Sequence, residues 1–145
     1  MKFWEKFWKL VNKQYLIFGL VLFAFVIGTS LIESVNKVKV SFDEDAVNIH
    51  TSRFYSMNIP YDMVDSIELA QMPEPGENLK GKDDMTVRYG QWRNETWGEY
   101  VVCADLDATD CIVVHLDDGR IFVFSRRNNE ATAEDFATFQ SHLQQ

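Results

Sequence analysis

The chain has 145 residues, with 14 Lys and Arg against 22 Asp and Glu, and its formal net charge is −8 at pH 7. This length suits one ordinary domain. The acidic balance argues against nucleic acid as a partner, because phosphate backbones attract basic surfaces and repel acidic ones.

An uncharged stretch near the N-terminus begins at Tyr15 and ends at Ile32. As an α-helix, its 18 residues measure about 27 Å, close to the thickness of the hydrocarbon layer of a membrane. From Leu16 to Ile27 apolar side chains cover every face, whereas a helix in a soluble core keeps a polar stripe. Residues 15–32 are therefore predicted to form a transmembrane helix in the cytoplasmic membrane.

A secretory signal peptide is the alternative interpretation of this stretch. Such a peptide also combines a basic start, an apolar segment and small residues before a cleavage site, and Gly28 and Ser30 have the required size. The apolar segment is at the long end for a signal peptide, and its leader is long and aromatic. These two features favour an uncleaved anchor.

Residues 1–14 are interpreted as an amphipathic leader with lysines largely on one side and aromatic residues on the other, which suits a membrane interface. The alternative is an ordinary anchor flank without a separate role. Four lysines precede the span, and Lys37 and Lys39 follow it closely. Because basic residues near a span stay in the cytoplasm, we expect the N-terminus inside and the C-terminal domain outside. The four lysines are Lys2, Lys6, Lys9 and Lys13.

Residues 33–145 are predicted to form one domain, which carries ten Lys and Arg against 21 Asp and Glu, a formal net charge of −11. Apolar and polar residues alternate through most of it, which predicts β-strands rather than helices. Residues 71–84 contain two prolines, two glycines and many charges, which predicts an exposed loop. Strands are predicted over 37–42, 46–50, 54–59, part of 61–69, 85–92, 98–106, 111–116 and 121–125.

The clearest predicted hairpin joins residues 111–116 to residues 121–125. An Asp-Gly pair stands at the centre of the connection, where a type I′ turn needs positive φ at both residues. A turn of this type places Val114 opposite Val123 and so sets the register of the two strands.

The two cysteines, Cys103 and Cys111, lie on either side of a predicted turn at 107–109. If the strands over 98–106 and 111–116 form a hairpin, the two cysteines face each other directly, within the range of a disulfide. A location outside the cytoplasm lets such a bond persist. We expect this disulfide; the alternative is a pair of reduced, buried thiols.

The C-terminus is predicted to be a helix over 132–144. Thr132 is a suitable N-cap, and Glu134 and Asp135 follow in the first turn, where the helix dipole favours acidic side chains. One apolar face requires this helix to lie across the sheet or to close one end of a barrel. That face consists of Phe136, Phe139 and Leu143.

The order of these segments resembles the bacterial pleckstrin-homology-like domains found behind membrane anchors. After the span come paired short strands, IPYDMVDSIEL at 59–69, a loop, YGQWRNETWGEY at 89–100, CIVVHLDDGRIFVFS at 111–125 and a final helix. The resemblance covers residues 35–143. It implies a mainly β fold with a C-terminal helix: a bent barrel or sandwich of about seven strands closed by that helix.

The resemblance implies no known activity. Pleckstrin domains that bind phosphoinositides use a basic first hairpin, whereas the corresponding turn here is Asp43-Glu44-Asp45. Phosphoinositide binding is therefore not expected for this chain.

Residues that carry chemistry are sparse in this sequence. It has no GxSxG, HExxH or phosphate-binding loop, so neither an enzyme, a cofactor nor a metal is expected. Asp105, Asp107 and Asp110 lack the glycine and glutamate of a calcium loop and are interpreted as a polar turn. Trp92 and Trp97 flank the turn at 94–96, where they are candidates for partner contact, with burial in the core as the alternative.

These observations favour a membrane-anchored, non-enzymatic binding or scaffold domain outside the cytoplasmic membrane that contacts a protein or peptide partner. Two alternatives remain open. The same domain in the cytoplasm would be a regulatory or assembly subunit of a membrane complex, and a third interpretation is an envelope hydrolase.

Overall fold

The computed structural model describes residues 2–51 and 55–145, with the backbone alone over 30–36. The chain divides into two compact units, one ending at Val35 and the other beginning at Asn36. The first unit is helical. The second is mainly β with a C-terminal helix, so the predicted fold class is confirmed. It has nine strands in two sheets, whereas the resemblance implied about seven.

The first unit is the helix α1, Lys2–Asn36, of 35 residues and about 52 Å. It contains residues 2–14 of the predicted leader and the whole predicted span, without a break between them. Large apolar side chains between Leu16 and Ile27 are all at least 43% exposed. By its length and composition, α1 is therefore a candidate membrane span. A signal sequence near the N-terminus meets the same two criteria.

A three-stranded antiparallel sheet opens the second unit. Strand β1, Lys39–Phe42, pairs with β2, Ala46–Thr51, which pairs with β3, Tyr55–Pro60. The predicted first hairpin is confirmed, and Asp43 donates its N–H to the carbonyl of Ala46 to close the turn at 2.9 Å. The second predicted turn, at 51–53, lies outside the described residues except for Thr51, which belongs to β2.

After Pro60 a 3₁₀ turn, Tyr61–Met63, leads into β4, Val64–Gln71, as predicted. The loop predicted over 71–84 is wrong, because half of it is strand β5, Glu77–Asp83. Every residue of β5 is exposed, so no buried face marks it in the sequence. It is held by backbone pairing to the next strand at the edge of the larger sheet.

The larger sheet adds four strands: β6, Val87–Asn94; β7, Gly98–Asp105; β8, Asp110–Leu116; and β9, Ile121–Ser125. Its spatial order is β4-β8-β9-β7-β6-β5. Strand β9 lies between β7 and β8 and runs parallel to β7. The predicted hairpin of β7 with β8 is therefore wrong.

The β8–β9 hairpin is confirmed, but its predicted register is wrong by one residue. Val113, not Val114, lies opposite Val123. Leu116 donates its N–H to the Arg120 carbonyl and accepts the N–H of Gly119, at 3.0 Å each. The loop between Leu116 and Arg120 therefore has three residues rather than two. Gly119, at φ +88°, takes the left-handed position that such a loop requires.

The C-terminal helix α2, Asn129–Leu143, begins three residues before the predicted start. Asn128 is the N-cap, and its side chain accepts a hydrogen bond from the N–H of Ala131. Thr132 is fully buried inside the first turn instead. Its hydroxyl accepts the N–H of Arg126 at 3.0 Å and donates to the Asn128 carbonyl at 2.8 Å, which ties the helix to the end of β9.

The predicted apolar face of α2 packs onto the β core, as expected. Phe139 is fully buried, and Phe136 and Leu143 pack against the same cluster at partial exposure. The helix thereby covers one face of the sheets. The rings around Phe139 lie 5.9–6.2 Å away and belong to Phe42, Tyr61 and Phe124.

The other face of the larger sheet is also buried. Val102, Val113 and Val123 there are fully inaccessible to solvent. The connection over 72–76 contacts this part of the molecule, and the carbonyl of Pro75 accepts the Tyr100 hydroxyl at 2.7 Å. A sheet buried on both faces explains why β7, β8 and β9 read as nearly continuous apolar runs.

Two glycines with positive φ differ in the space around them. Gly90, at φ +109°, faces Gly81 on β5, and a Cβ on Gly90 would overlap the Lys80 carbonyl and the Gly81 Cα. Gly98, at φ +72°, has open space at its Cβ position.

We expect Gly98→Ala to lower the free energy of unfolding by about 1 kcal/mol, the cost of the left-handed backbone. Gly90→Ala should lower it by about 3 kcal/mol, because overlap with β5 adds to the strain. Urea denaturation of both variants, followed by tryptophan fluorescence, measures the difference. Equal losses would contradict the close approach of β5 and β6.

Candidate functional site

The two tryptophans expected at a partner contact occupy different environments. Trp92 is 4% exposed, its indole N–H donates to the Tyr89 carbonyl at 3.3 Å, and the Arg88 guanidinium lies 5.3 Å from its ring centre. Trp97 is half-buried and packs edge-to-face on Tyr100 at 5.0 Å. Trp92 is thus a core residue, in line with the alternative interpretation, and only Trp97 retains an exposed surface.

The expected disulfide is wrong, because Cys103 and Cys111 are free and buried. Strand β9 separates their strands, which places them about 10 Å apart, beyond the reach of a disulfide. They also belong to clusters on opposite faces of the sheet. Burial raises the pKa of each thiol to about 12, so both are protonated and unreactive at neutral pH.

Two of the histidines have structural contacts. His115 pairs with Glu68 across β8 and β4, with 3.6 Å between the imidazole Nε2 and a carboxylate oxygen. His142 stacks between Phe42 and Tyr61, with ring centres 5.6 and 5.2 Å away. Within residues 2–51 and 55–145, no group of three His, Cys, Asp or Glu side chains is placed to hold a metal ion.

The acidic turn between β7 and β8 fits the polar turn that was predicted. Asp105 is 2% exposed and accepts the N–H of Asp107 at 3.1 Å, while its own carbonyl accepts the Ser125 hydroxyl at 2.9 Å. Asn129 of α2 accepts the N–H of Asp110 at 3.0 Å. Burial raises the pKa of the Asp105 carboxyl above its usual range.

A groove of about 590 Å³ opens where β3 meets β5 and β6. Its wall is a pair of stacked rings: Tyr55 and Tyr89 lie 4.8 Å apart with 26° between their planes. Burial raises the pKa of Tyr55 to about 12, so its hydroxyl keeps its proton at neutral pH. A volume of this size is typical of a small-ligand or side-chain pocket. The lining residues are Tyr55, Lys80, Gly81, Lys82, Tyr89, Gly90, Gln91 and Val101.

The strand register places the polar side chains of this groove on one face of the sheet. Lys82 lies opposite Tyr89, and Lys80 lies opposite Gln91. Directly opposed residues of an antiparallel pair share a face. Two ammonium groups and one amide therefore stand beside the tyrosine wall, while the intervening glycine pair lets the two strands approach closely.

Sequence reasoning missed this groove for two identifiable reasons. Residues 71–84 were expected to be a loop, so Lys80 and Lys82 had no assigned face, and nothing in the sequence distinguishes Tyr55 and Tyr89 from the aromatic residues of the core. The available signal was the Lys-Gly-Lys alternation within that stretch. The pairing of this stretch with β6 could not be predicted from the neighbouring residues, because it depends on the register between two separate strands.

Comparisons of the chain with protein-family models, with curated proteins and with solved structures found no match.

The buried thiols lead to a chemical prediction. At pH 7 we expect neither cysteine of the native chain to react with Ellman's reagent, because both thiols are buried and protonated. After unfolding in denaturant, two thiols should react whether or not a reductant was added first. If the unfolded chain reacts only after a reductant has been added, the two cysteines form a disulfide and their assignment as free thiols is wrong.

The buried carboxyl of Asp105 leads to a pH prediction. Its folded pKa is raised, so the native state holds the proton to higher pH than the unfolded state, and stability falls as pH rises through that interval. Asp105→Asn keeps an acceptor for the Asp107 N–H and removes this titration. We expect the variant to gain stability relative to the wild type from pH 4 upwards and then to level off. If the difference in urea midpoint between the wild type and Asp105→Asn does not change with pH, the raised pKa of Asp105 is contradicted.

Proposed function

We propose that this chain is a membrane-anchored, non-enzymatic binding domain of the pleckstrin-homology-like type, exposed outside the cytoplasmic membrane and in contact with a protein or peptide partner. The observation that carries the proposal is the joining of an exposed apolar helix to a separate β unit with its own core.

The anchor is supported by the free energy of exposure. Ten large apolar side chains between Leu16 and Ile27 stand exposed, and burial of each is worth about 1.5–3 kcal/mol. Because these side chains are about 40–70% exposed, their sum is comparable with the 5–15 kcal/mol that typically stabilises a domain. A hydrocarbon environment removes this cost, and every backbone group within a helix there is satisfied internally.

The side of the membrane is proposed from the lysine distribution alone. Four lysines precede the span against Lys37 and Lys39 just after it, which favours the N-terminus inside. The cysteines no longer contribute to this argument, because their positions do not allow a bond.

The pleckstrin-like assignment is supported by the order of the parts: an anchor, antiparallel strands, and a final helix that packs on the core. The parallel pairing of β7 with β9 distinguishes this domain from a simple succession of antiparallel hairpins. The acidic first turn, which includes Asp43, supports a function other than phosphoinositide binding.

The partner contact is proposed to be non-catalytic and to use the groove beside Tyr55. Strand addition at β5 is less favourable, because Asn78 already donates its side-chain amide to the Gly81 carbonyl at 3.0 Å. The pairing of β5 is also irregular between Asn78 and Lys80, and the strand is charged along its length. These features are the ones that protect an edge from pairing with another strand.

A second candidate places the same domain in the cytoplasm, as a regulatory or assembly subunit of a membrane complex. The observation that favours it is the pair of free thiols, which are typical of a reducing compartment.

Site-directed labelling separates the two locations, because the native buried cysteines provide a silent background. Glu95→Cys places a thiol in the exposed β6–β7 turn, and Asn12→Cys places a matched exposed thiol before the span. With a membrane-impermeant maleimide on intact cells, we expect label at position 95 and not at 12 until the cells are broken. The reverse pattern would overturn the external location and favour the cytoplasmic one.

A further inference from the structure

We propose that the groove between Tyr55 and the β5–β6 edge binds an extended acidic peptide segment, with carboxylates on Lys80 and Lys82 and an apolar side chain against the tyrosine pair. This inference rests on the proposed binding function and names the chemical class of its partner.

The first step is the charge of the groove. Lys80 and Lys82 are exposed, share a face of β5 at alternate positions, and line the groove together. Among the described residues, neither forms an ion pair, whereas Arg88, Arg93 and Arg120 each pair with a carboxylate. In a domain of net charge −11, two neighbouring ammonium groups without an ion pair can accept the carboxylates of a partner.

The spacing of the lysines fits an extended peptide. Residues two apart on a strand lie about 6.8 Å apart and point to the same side. Alternate acidic residues of a second extended chain have the same repeat, so a Glu-x-Glu segment matches Lys80 and Lys82 in register. Lys82 also acts on a carboxylate of its own chain: burial would raise the pKa of Asp84, but hydrogen bonds from Thr86 and Val87, together with Lys82, lower it.

The second step is the apolar wall. The Tyr55 and Tyr89 rings continue the core cluster to the surface, and Val101 joins them at partial exposure. An apolar or aromatic side chain placed on this wall extends the core without burying a charge. Gln91, on the face of Lys80, offers an amide that donates to and accepts from a peptide backbone.

The charge balance also favours a separate peptide over a second copy of this chain. Two domains of net charge −11 repel each other, whereas a segment with local carboxylates and little net charge is not repelled at a distance. Antiparallel self-pairing of β5 about its centre would in addition set Lys80 against Lys80, a like-charge pair.

The test uses the full chain in nanodiscs of uncharged lipid and a blocked peptide, acetyl-Lys-Gly-Glu-Phe-Glu-Gly-Lys-amide, which has no net charge. Its binding is followed by anisotropy of an uncharged dye on the peptide. A matched peptide, acetyl-Gln-Gly-Gln-Phe-Gln-Gly-Gln-amide, carries Gln in place of both Glu and both Lys, so it also has no net charge. The double variant Lys80→Gln/Lys82→Gln is compared with Lys37→Gln/Lys39→Gln, which removes the same charge elsewhere in the chain.

We expect saturable binding with a dissociation constant of about 1 mM or tighter. The Lys80/Lys82 variant should weaken it about fivefold or more, and the Lys37/Lys39 variant less than twofold. The matched peptide should bind the wild type more weakly by the same factor, but it should bind the Lys80/Lys82 variant about as well as the Glu peptide does. That pattern is the sign of direct coupling. Equal losses in the two lysine variants, or equal binding of the two peptides, would overturn the proposal, as would peptide-independent self-association through this face.

The failure of this inference is distinguishable from the failure of the proposed function. Chemical crosslinking in intact membranes is repeated with the wild type and the Lys80→Gln/Lys82→Gln variant. If both give the same stoichiometric partner while the peptide does not bind, the binding function stands and the groove proposal falls. If the partner is lost only from the Lys80/Lys82 variant, the groove is supported as its contact.

Discussion

The exposed apolar surface of α1 is the constraint on which the rest of the molecule depends. The side chains between Leu16 and Ile27 cannot be covered by the helix itself, and water is a costly neighbour for all of them. A hydrocarbon environment would remove this cost, and the β domain then needs its own core. The structure provides one, since residues from Asn36 onwards form a separate compact unit.

The domain core is organised by the position of β9. By lying between β7 and β8, it brings Phe124 towards Phe139 of α2 on one face and Val123 into the second cluster on the other. The same placement separates the two cysteines and leaves each as a small buried apolar group. Strand β5 lies at the edge of the larger sheet that is farther from β9. Its side chains are exposed and largely charged, so β5 forms the polar side of the groove.

Local patterns predicted most strands, the C-terminal helix and its apolar face, because alternation and helical spacing are short-range signals. They failed where the outcome depends on pairing partners. Strand β5 has no apolar face. A three-residue loop sets the register at Val113. The insertion of β9 between β7 and β8 depends on contacts between residues far apart in the sequence. The candidate groove was invisible for the same reason: Tyr55 and Lys80 meet only because β3, β5 and β6 converge, and no local signal connects them.

The measurement that tests the central claim most directly is the mass of the chain retained in membranes after an alkaline carbonate wash. An uncleaved anchor predicts the full 145-residue chain in the membrane pellet, with the N-terminal helix intact. A shorter chain that begins after the apolar segment and is released by the wash would show that the helix is a signal peptide, and it would contradict the anchored domain.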